Sequence, residues 1–99
     1  MSLESRMTHV AGARKSNLVL YALSTCGWCR KTKALLNDLE ADYQYVDVDL
    51  LEGDERQAAL EAIRKWNPAC SFPTLVFDGK QCIVGFKEEE IKAAVARGN

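Results

Sequence analysis

The chain has 99 residues, of which 47% are apolar and 27% are charged, so its size and composition fit one globular domain with its own core. Its 13 basic and 14 acidic side chains give a formal net charge of −1, which leaves no basic excess for binding nucleic acid. No apolar run is long enough to cross a bilayer, and the N-terminal segment lacks the apolar centre of a secretory signal, so we expect a cytoplasmic protein that contacts no membrane.

The first predicted elements are a strand and a helix. The apolar run NLVLYAL at Asn17–Leu23 has the length of a buried strand. Ser24 and Thr25 then offer hydroxyl caps for a helix that is predicted to begin at the cysteines that follow. Apolar side chains recur at helical spacing along this segment, so the helix is predicted to end near Glu40.

A second strand and a second helix follow. Tyr43–Leu50 alternates apolar and polar residues, which predicts a strand. Gly53 interrupts this pattern, and Asp54 is predicted to cap a helix that Pro68 terminates. The segment DVDLLEGDE is rich in carboxylates, but its spacing is not that of a calcium-binding loop. We interpret it as a strand end and an acidic first helical turn.

The last predicted elements are a hairpin and a helix. Apolar runs at residues 74–77 and 81–84 flank DGK, which is typical of a tight hairpin turn. The glutamates at 88–90 suit the first turn of a final helix, where the dipole favours negative charge. The order β-α-β-α-β-β-α predicts an α/β fold in which helices flank a four-stranded mixed sheet. This domain is predicted to span residues 17–99 after an extension at residues 1–16.

The pair Cys26 and Cys29 carries the clearest chemical signal. In a reducing compartment, a close cysteine pair is more often catalytic or metal-binding than a static disulfide. Cys26 is predicted to lie at a helix start, where backbone N–H groups, the helix dipole and nearby basic residues stabilise a thiolate and can lower its pKa to ~3.5–7.5. The basic residues are Arg30, Lys31 and Lys33. Cys29 is expected to be shielded and less acidic, so Cys26 would attack a disulfide and Cys29 would resolve the mixed disulfide.

The two residues between the cysteines suggest how a substrate is accommodated. Gly27 would let a substrate backbone come close. Trp28 is either an apolar wall beside the reactive sulfur or an ordinary core residue, and the sequence leaves both interpretations open.

The segment CGWCRKTKALL, together with FPT, DGK and VGF at their separations, resembles the glutaredoxins, a family with the thioredoxin fold. Thioredoxins proper usually carry Trp-Cys-Gly-Pro-Cys and an additional strand and helix at the start. The resemblance extends over about residues 17–96 and implies a thioredoxin-like fold and thiol-disulfide oxidoreductase activity, with roles in electron transport and cell redox homeostasis. It also implies that Pro73 is a cis-proline facing the cysteine pair, that the backbone of Phe72 pairs with the substrate, and that Gly85 approaches the bound thiol.

The sequence departs from the glutathione-using members of that family. Leu23 occupies the position where they commonly have a lysine, and Val84 replaces the first glycine of their Gly-Gly turn. Phe86 and Lys87 follow, where those members often carry a small residue and an acidic pair. The redox chemistry is therefore better supported than specificity for glutathione, and a different small thiol or a protein reductant remains an alternative.

The predicted site has two parts. The catalytic residues are Cys26 and Cys29, and the residues that bind the substrate or the small thiol are Thr25, Gly27, Trp28, Lys31, Phe72, Pro73, Gly85, Phe86 and Lys87. We hypothesise that Lys31, Lys87 and the backbone near Phe72 bind an anionic thiol.

We interpret the chain as a monomeric oxidoreductase that reduces protein disulfides or mixed disulfides with a small thiol. Glutathione or another small thiol would supply the electrons, and the chemistry requires no organic cofactor or metal. In one alternative, implied by family members with glycine after the first cysteine, the chain forms a dimer around a [2Fe-2S] cluster and acts as a carrier or sensor. In another, it is a dedicated electron donor, linked to thioredoxin reductase, for one enzyme such as a ribonucleotide reductase.

The remaining cysteines and the histidine give weaker signals. Cys70 precedes Pro73 by three residues and is expected to be inert or mildly regulatory, and Cys82 is expected in the core. His9 is predicted to be solvated and without a partner. A structural zinc site would need a second ligand pair at characteristic spacing, and the sequence does not offer one.

Overall fold

The structure, a computed structural model, describes residues 7–69, 71–77 and 81–97. Its strands and helices in chain order are β1 (Thr8–Val10), β2 (Arg14–Ala22), α1 (Gly27–Asp38), β3 (Ala41–Asp47), α2 (Gly53–Trp66), β4 (Thr74–Phe77), β5 (Gln81–Val84) and α3 (Glu88–Arg97). A short 3-10 turn, Val48–Leu50, follows β3. No helix in the described ranges is long and apolar enough to cross a bilayer.

The strands form one mixed sheet in the order β1-β3-β2-β4-β5. The neighbours β2 and β3 are parallel, and the other three pairings are antiparallel. The helix between β2 and β3 is the crossover that parallel neighbours need. Since the carboxyl ends of β2 and β3 point the same way, the segments that follow them, including the two cysteines, meet at one edge of the sheet.

Among the residues that the structure describes, the sheet has five strands, so the predicted count of four is wrong. The additional strand is β1, which pairs antiparallel with β3 through Thr8–Val10. It lies within the segment that was predicted to be an extension. The sequence did not indicate this strand, because three residues are too few to show an alternating pattern. A Cβ on Gly12 would lie 2.3 Å from the carbonyl oxygen of Ala41, so the connection to β2 needs a glycine for its close approach to the backbone.

His9 is exposed as predicted, but the prediction that it has no partner is wrong. Its Nε2 lies 2.6 Å from Oδ1 of Asp42 on the neighbouring strand. The backbone N–H of Gly12 donates to the other carboxylate oxygen of Asp42 at 3.4 Å. A single β3 carboxylate therefore contacts both β1 and the connection that follows it, and this partner lies 33 positions from His9 in sequence.

Several boundaries differ from the predictions. Strand β2 begins at Arg14 rather than Asn17, because its first residues pair with the start of β3 across a register irregularity. Strand β3 ends at Asp47, and the 3-10 turn occupies the predicted end of that strand. Helix α2 begins at Gly53 with Glu52 at its N-cap, so Asp54 lies in the first turn and is not the cap.

Apolar side chains cover both faces of the sheet. Helices α1 and α3 pack on one face through Leu36, Ile91 and Val95, which are buried with strand residues such as Leu20 and Leu75. Helix α2 packs on the other face through its own buried residues. The result is a three-layer α/β arrangement of the predicted class.

The remaining predictions concern Cys82, Cys70 and the hairpin turn. Cys82 lies in β5 and is half-buried, and its thiol donates to the carbonyl of Trp66 at 3.3 Å. It packs at the edge of the α2 face rather than inside it. Cys70 and the DGK turn lie outside the described residues, although β4 and β5 do form the predicted antiparallel pair.

Candidate functional site

Cys26 is the N-cap of α1. It follows a turn that is closed by a hydrogen bond from its own N–H to the carbonyl of Leu23 at 3.2 Å. Its backbone is extended, with φ −84° and ψ 120°, and its Sγ accepts a hydrogen bond from the N–H of Cys29 at 3.2 Å. The sulfur thus occupies the place of the oxygen in an ordinary helix cap and faces the positive end of the helix.

Hydrogen bonds hold the pKa of the Cys26 thiol below its usual value. Partial burial acts in the opposite direction, as it disfavours the charged form. Hydrogen bonds from the Cys29 side chain and from the backbone amides of Cys29 and Trp28 outweigh it, and the charge of Arg30 adds to them. The result is a half-exposed thiol biased towards its reactive form.

Cys29 has the opposite character. It is 1% exposed and belongs to the core cluster beneath α1. Burial, followed by the hydrogen bond to Cys26 and the charge of that thiolate, raises the pKa of Cys29 to about 12. The two sulfurs therefore differ both in access and in acidity, although they lie one helical turn apart. Both are free thiols in this structure.

The basic residues after the pair act in different ways. Lys31 extends over the Trp28 ring, with its Nζ 4.6 Å from the ring centroid. Lys33 donates to Asp47 at 3.0 Å and lies 4.1 Å above the Tyr45 ring. Its charge lowers the pKa of Cys29, not of Cys26 as expected from the sequence.

An apolar groove of about 200 Å³ opens beside the cysteine turn. Its lining residues are Trp28, Phe72, Pro73, Gly85 and Phe86. The Trp28 and Phe86 rings stack with their centroids 5.9 Å apart. Trp28 is 57% exposed, so it forms an apolar wall and is not a core residue.

The backbone on the far side of the groove is held in place. The Phe72–Pro73 peptide bond is cis, as the resemblance implied. The N–H of Gly85 donates to the carbonyl of Pro73 at 2.9 Å. Gly85 has φ +86°, a conformation that L side chains rarely adopt, so a glycine is needed where this segment turns beside Pro73.

Three other predicted binding residues, Gly27, Thr25 and Lys87, do not belong to the lining of this groove. Gly27 is exposed, and a Cβ there would meet no atom within 4 Å. Thr25 is exposed in the turn before Cys26. Lys87 is exposed, and its Nζ lies 3.9 Å from Oε2 of Glu90 in α3. Its side chain does not line the groove.

Sequence reasoning missed Asp49 and gave Ser24 and Thr25 a different role, because the N-cap of α1 is Cys26 and not one of these hydroxyl residues. Ser24 and Asp49 are 25 positions apart, and Asp49 accepts hydrogen bonds from both the N–H and the hydroxyl of Ser24. No local pattern reports such a long-range pair. Within residues 7–69, 71–77 and 81–97, no group of three or more histidine, cysteine or acidic side chains is placed to hold a metal ion.

Comparison with known proteins gives consistent matches. The family model described as Glutaredoxin matches residues 18–82. An uncharacterized glutaredoxin-like 8.6 kDa protein in the rubredoxin operon of Clostridium pasteurianum is 30% identical over 78 residues, which cover 79% of this chain and 96% of that protein.

Solved structures match over most of the chain. The glutaredoxin from Methanosarcina mazei Go1 is 48% identical with a TM-score of 0.84, covering 91% of this chain and 87% of its own. The methanoredoxin from Methanosarcina acetivorans is 45% identical with a TM-score of 0.85, covering 89% and 94%. The fold is therefore the thioredoxin-like α/β fold that the sequence predicted.

Proposed function

Because the chain belongs to the glutaredoxin family, we propose that it reduces protein disulfides, or mixed disulfides with a small thiol, through Cys26 and Cys29. The observation that carries the proposal is the contrast between the two sulfurs. Cys26 is half-exposed with a lowered pKa, and Cys29 is buried with a raised one. This contrast supports an attack by Cys26 and a resolution by Cys29.

The first step is thiolate attack on the substrate disulfide. The Cys26 thiolate forms a bond to one substrate sulfur, the substrate S–S bond breaks, and the other sulfur leaves as a thiolate that takes up a proton. The groove walls Trp28 and Phe86 offer apolar surface to the chain that carries the attacked sulfur. The product is a mixed disulfide on Cys26.

The second step follows from the first because the mixed disulfide removes the charge of Cys26. That charge and its hydrogen bond are two of the causes that raise the pKa of Cys29. When they disappear, burial still opposes ionisation, but the nearby Lys33 ammonium favours it. Cys29 then loses its proton and attacks Cys26, which forms the Cys26–Cys29 disulfide and releases the second substrate thiol. Two electrons have passed from the dithiol to the substrate.

The proposed electron source is a small anionic thiol, or alternatively a protein reductase. Lys31 lies against Trp28 at the groove, where it can attract an anionic group. The lysine that glutathione-using members commonly carry is replaced by Leu23. These features support an anionic thiol without supporting glutathione in particular.

Single cysteine variants test the proposal. Cys26→Ser should abolish the reduction of both protein and small-molecule disulfides. Cys29→Ser should lose protein-disulfide reduction and keep activity on small-thiol mixed disulfides if both sulfurs are used as proposed. Cys82→Ser is the matched control, because it makes the same exchange at a half-buried thiol in β5. Activity of Cys26→Ser would overturn the proposal.

The reductant can be identified with the oxidised protein. A panel should pair 3-mercaptopropionate, which is anionic, with neutral 2-mercaptoethanol, and should include glutathione and a thioredoxin reductase with NADPH. Faster release of the thiol pair by the anionic thiol, and loss of this preference in Lys31→Gln, would support an anionic reductant. Equal rates with the anionic and the neutral thiol would contradict it, and exclusive reduction by the reductase would favour the protein reductant instead.

A further inference from the structure

The inference concerns the 3-10 turn that follows β3. Asp49 in this turn uses both carboxylate oxygens on one residue of the cysteine turn. Its Oδ1 accepts from the N–H of Ser24 at 2.8 Å, and its Oδ2 accepts from the hydroxyl of Ser24 at 2.5 Å. A carboxylate that accepts two donors from one residue fixes both the position and the orientation of that residue.

Ser24 lies inside the turn that delivers Cys26 to the helix. The turn is closed by the hydrogen bond from the N–H of Cys26 to the carbonyl of Leu23. Asp49 therefore holds the middle of this turn from a neighbouring loop. The position of the turn determines where Cys26 lies at the start of α1. From that position the sulfur accepts the N–H of Cys29, one of the bonds that lower the pKa of Cys26.

The charge state of Asp49 suits this role. Hydrogen bonds from the Ser24 hydroxyl and N–H hold the pKa of the Asp49 carboxyl below its usual range. The carboxylate thus remains ionised, and remains an acceptor only, over the pH range in which a thiolate forms. Protonation does not interrupt the pair under the conditions of thiol chemistry.

We propose that Asp49, acting through Ser24, is a positioning residue for the Cys26 thiolate. It does not touch the reacting sulfur, and it holds the turn so that Cys26 remains at the helix N-cap. This inference deepens the proposed thiol-disulfide function and rests on it, but its test measures the thiol itself.

A positioning role of Asp49 and a purely electrostatic effect of its charge predict opposite changes in the pKa of Cys26. A carboxylate near a thiolate disfavours that thiolate, so removing its charge alone would lower the pKa of Cys26. Removing the hydrogen bonds loosens the turn, weakens the cap bonds to Cys26 and raises this pKa. The direction of the change in Asp49→Ala therefore distinguishes the two roles.

The experiment measures the rate of Cys26 alkylation by iodoacetamide against pH in the full-length reduced protein. In Asp49→Ala, the pKa of Cys26 should rise by about half a unit, which lowers the alkylation rate about threefold at pH values below that pKa. Ser24→Ala should raise it by less, because the backbone N–H of residue 24 can still donate to Asp49. The double variant should lose no more than Asp49→Ala alone, because the one hydrogen bond that Ser24→Ala removes is among the two that Asp49→Ala removes. Asp49→Asn should restore much of the wild-type profile, because its amide can still accept from the N–H and donate to the hydroxyl.

Asp38→Ala is the matched control. It removes the same charge at the exposed far end of α1 and should leave the profile unchanged. A lower or unchanged pKa in Asp49→Ala, or multiplied losses in the double variant, would overturn the proposal. If circular dichroism shows that Asp49→Ala is unfolded, Ser24→Ala and Asp49→Asn decide the question. A wild-type protein that is alkylated as expected but reduces no disulfide would instead refute the proposed function.

Discussion

The two sulfurs should differ greatly in their reaction with iodoacetamide at neutral pH. With a pKa of about 12, Cys29 has a thiolate fraction at pH 7 of about 10⁻⁵. The pKa of Cys26 is lowered from 9.0, so its thiolate fraction is at least about 10⁻². The ratio of thiolate populations is therefore at least about 1,000 in favour of Cys26.

Intrinsic nucleophilicity reduces this ratio without reversing it. A thiolate with a higher pKa is the better nucleophile, and a difference of three units corresponds to about a 20-fold advantage for Cys29. The net preference for Cys26 is then at least about 50-fold from ionisation alone. Since Cys29 is also 1% exposed, its access to the reagent is restricted further.

The assay is limited alkylation of the reduced protein at a series of pH values, followed by digestion and fragment-ion mass spectrometry. Fragmentation is needed because no lysine or arginine separates the two cysteines. The rate at Cys26 should rise with pH as the thiolate forms, and the midpoint of this rise should lie below pH 9, since its pKa is lowered from 9.0. Equal labelling of Cys29 in the folded protein, or a Cys26 rate that still rises steeply above pH 9, would refute the reasoning.

Three further substitutions test the fold, the groove and the resolving step. Gly12→Ala places a Cβ 2.3 Å from the Ala41 carbonyl oxygen, and urea denaturation should show a loss of about 1–3 kcal/mol in unfolding free energy. Phe86→Ala removes one ring of the groove stack and should raise the KM for the small thiol about two- to tenfold with little change in kcat. Lys33→Met removes a charge that favours the Cys29 thiolate and should slow protein-disulfide reduction about threefold in stopped-flow measurements.

Each of these substitutions has a control or a contradicting result. Gly27→Ala is the stability control for Gly12→Ala, because a Cβ there meets no atom within 4 Å. An unchanged KM in Phe86→Ala would remove the groove from the site. If Lys33→Met slows the reduction of small-thiol mixed disulfides by a Cys29→Ser protein by the same factor, then Lys33 does not act on the resolving step.

Local signals in the sequence were sufficient for most of the fold. The apolar run before the cysteines, the helical stripe after them and the two strands around DGK are patterns of neighbouring residues, and the structure contains each element. Strand β1 was missed because its three residues have no period, and its pairing depends on the approach that Gly12 permits to the β3 backbone. The partner of His9 was missed because it lies across that same pairing.

In the candidate site, too, the sequence could predict what depends on neighbouring residues and could not predict what depends on distant ones. The positions of Cys26 and Cys29 at the start of a helix follow from adjacent residues, so the sequence could place them. Trp28 could not be assigned, because whether it lies in the core or at the surface depends on Phe86, 58 positions away, against which it stacks. The Ser24–Asp49 pair depends on two loops meeting at one edge of the sheet, which only the parallel arrangement of β2 and β3 brings about.

The helix cap shows why a cysteine at position 26 is explained by chemistry rather than by folding. Serine, aspartate and asparagine are the preferred N-cap residues, and a thiol is a weaker hydrogen-bond acceptor than their oxygens. The cap bond at Cys26 comes from a backbone N–H, so serine could accept the same bond and would begin α1 at least as well. What serine cannot supply is a thiol, which ionises far more readily than a hydroxyl. The donors that would complete the cap of an ordinary helix here favour a thiolate, so one local structure begins the helix and favours the ionised sulfur that the proposed mechanism needs.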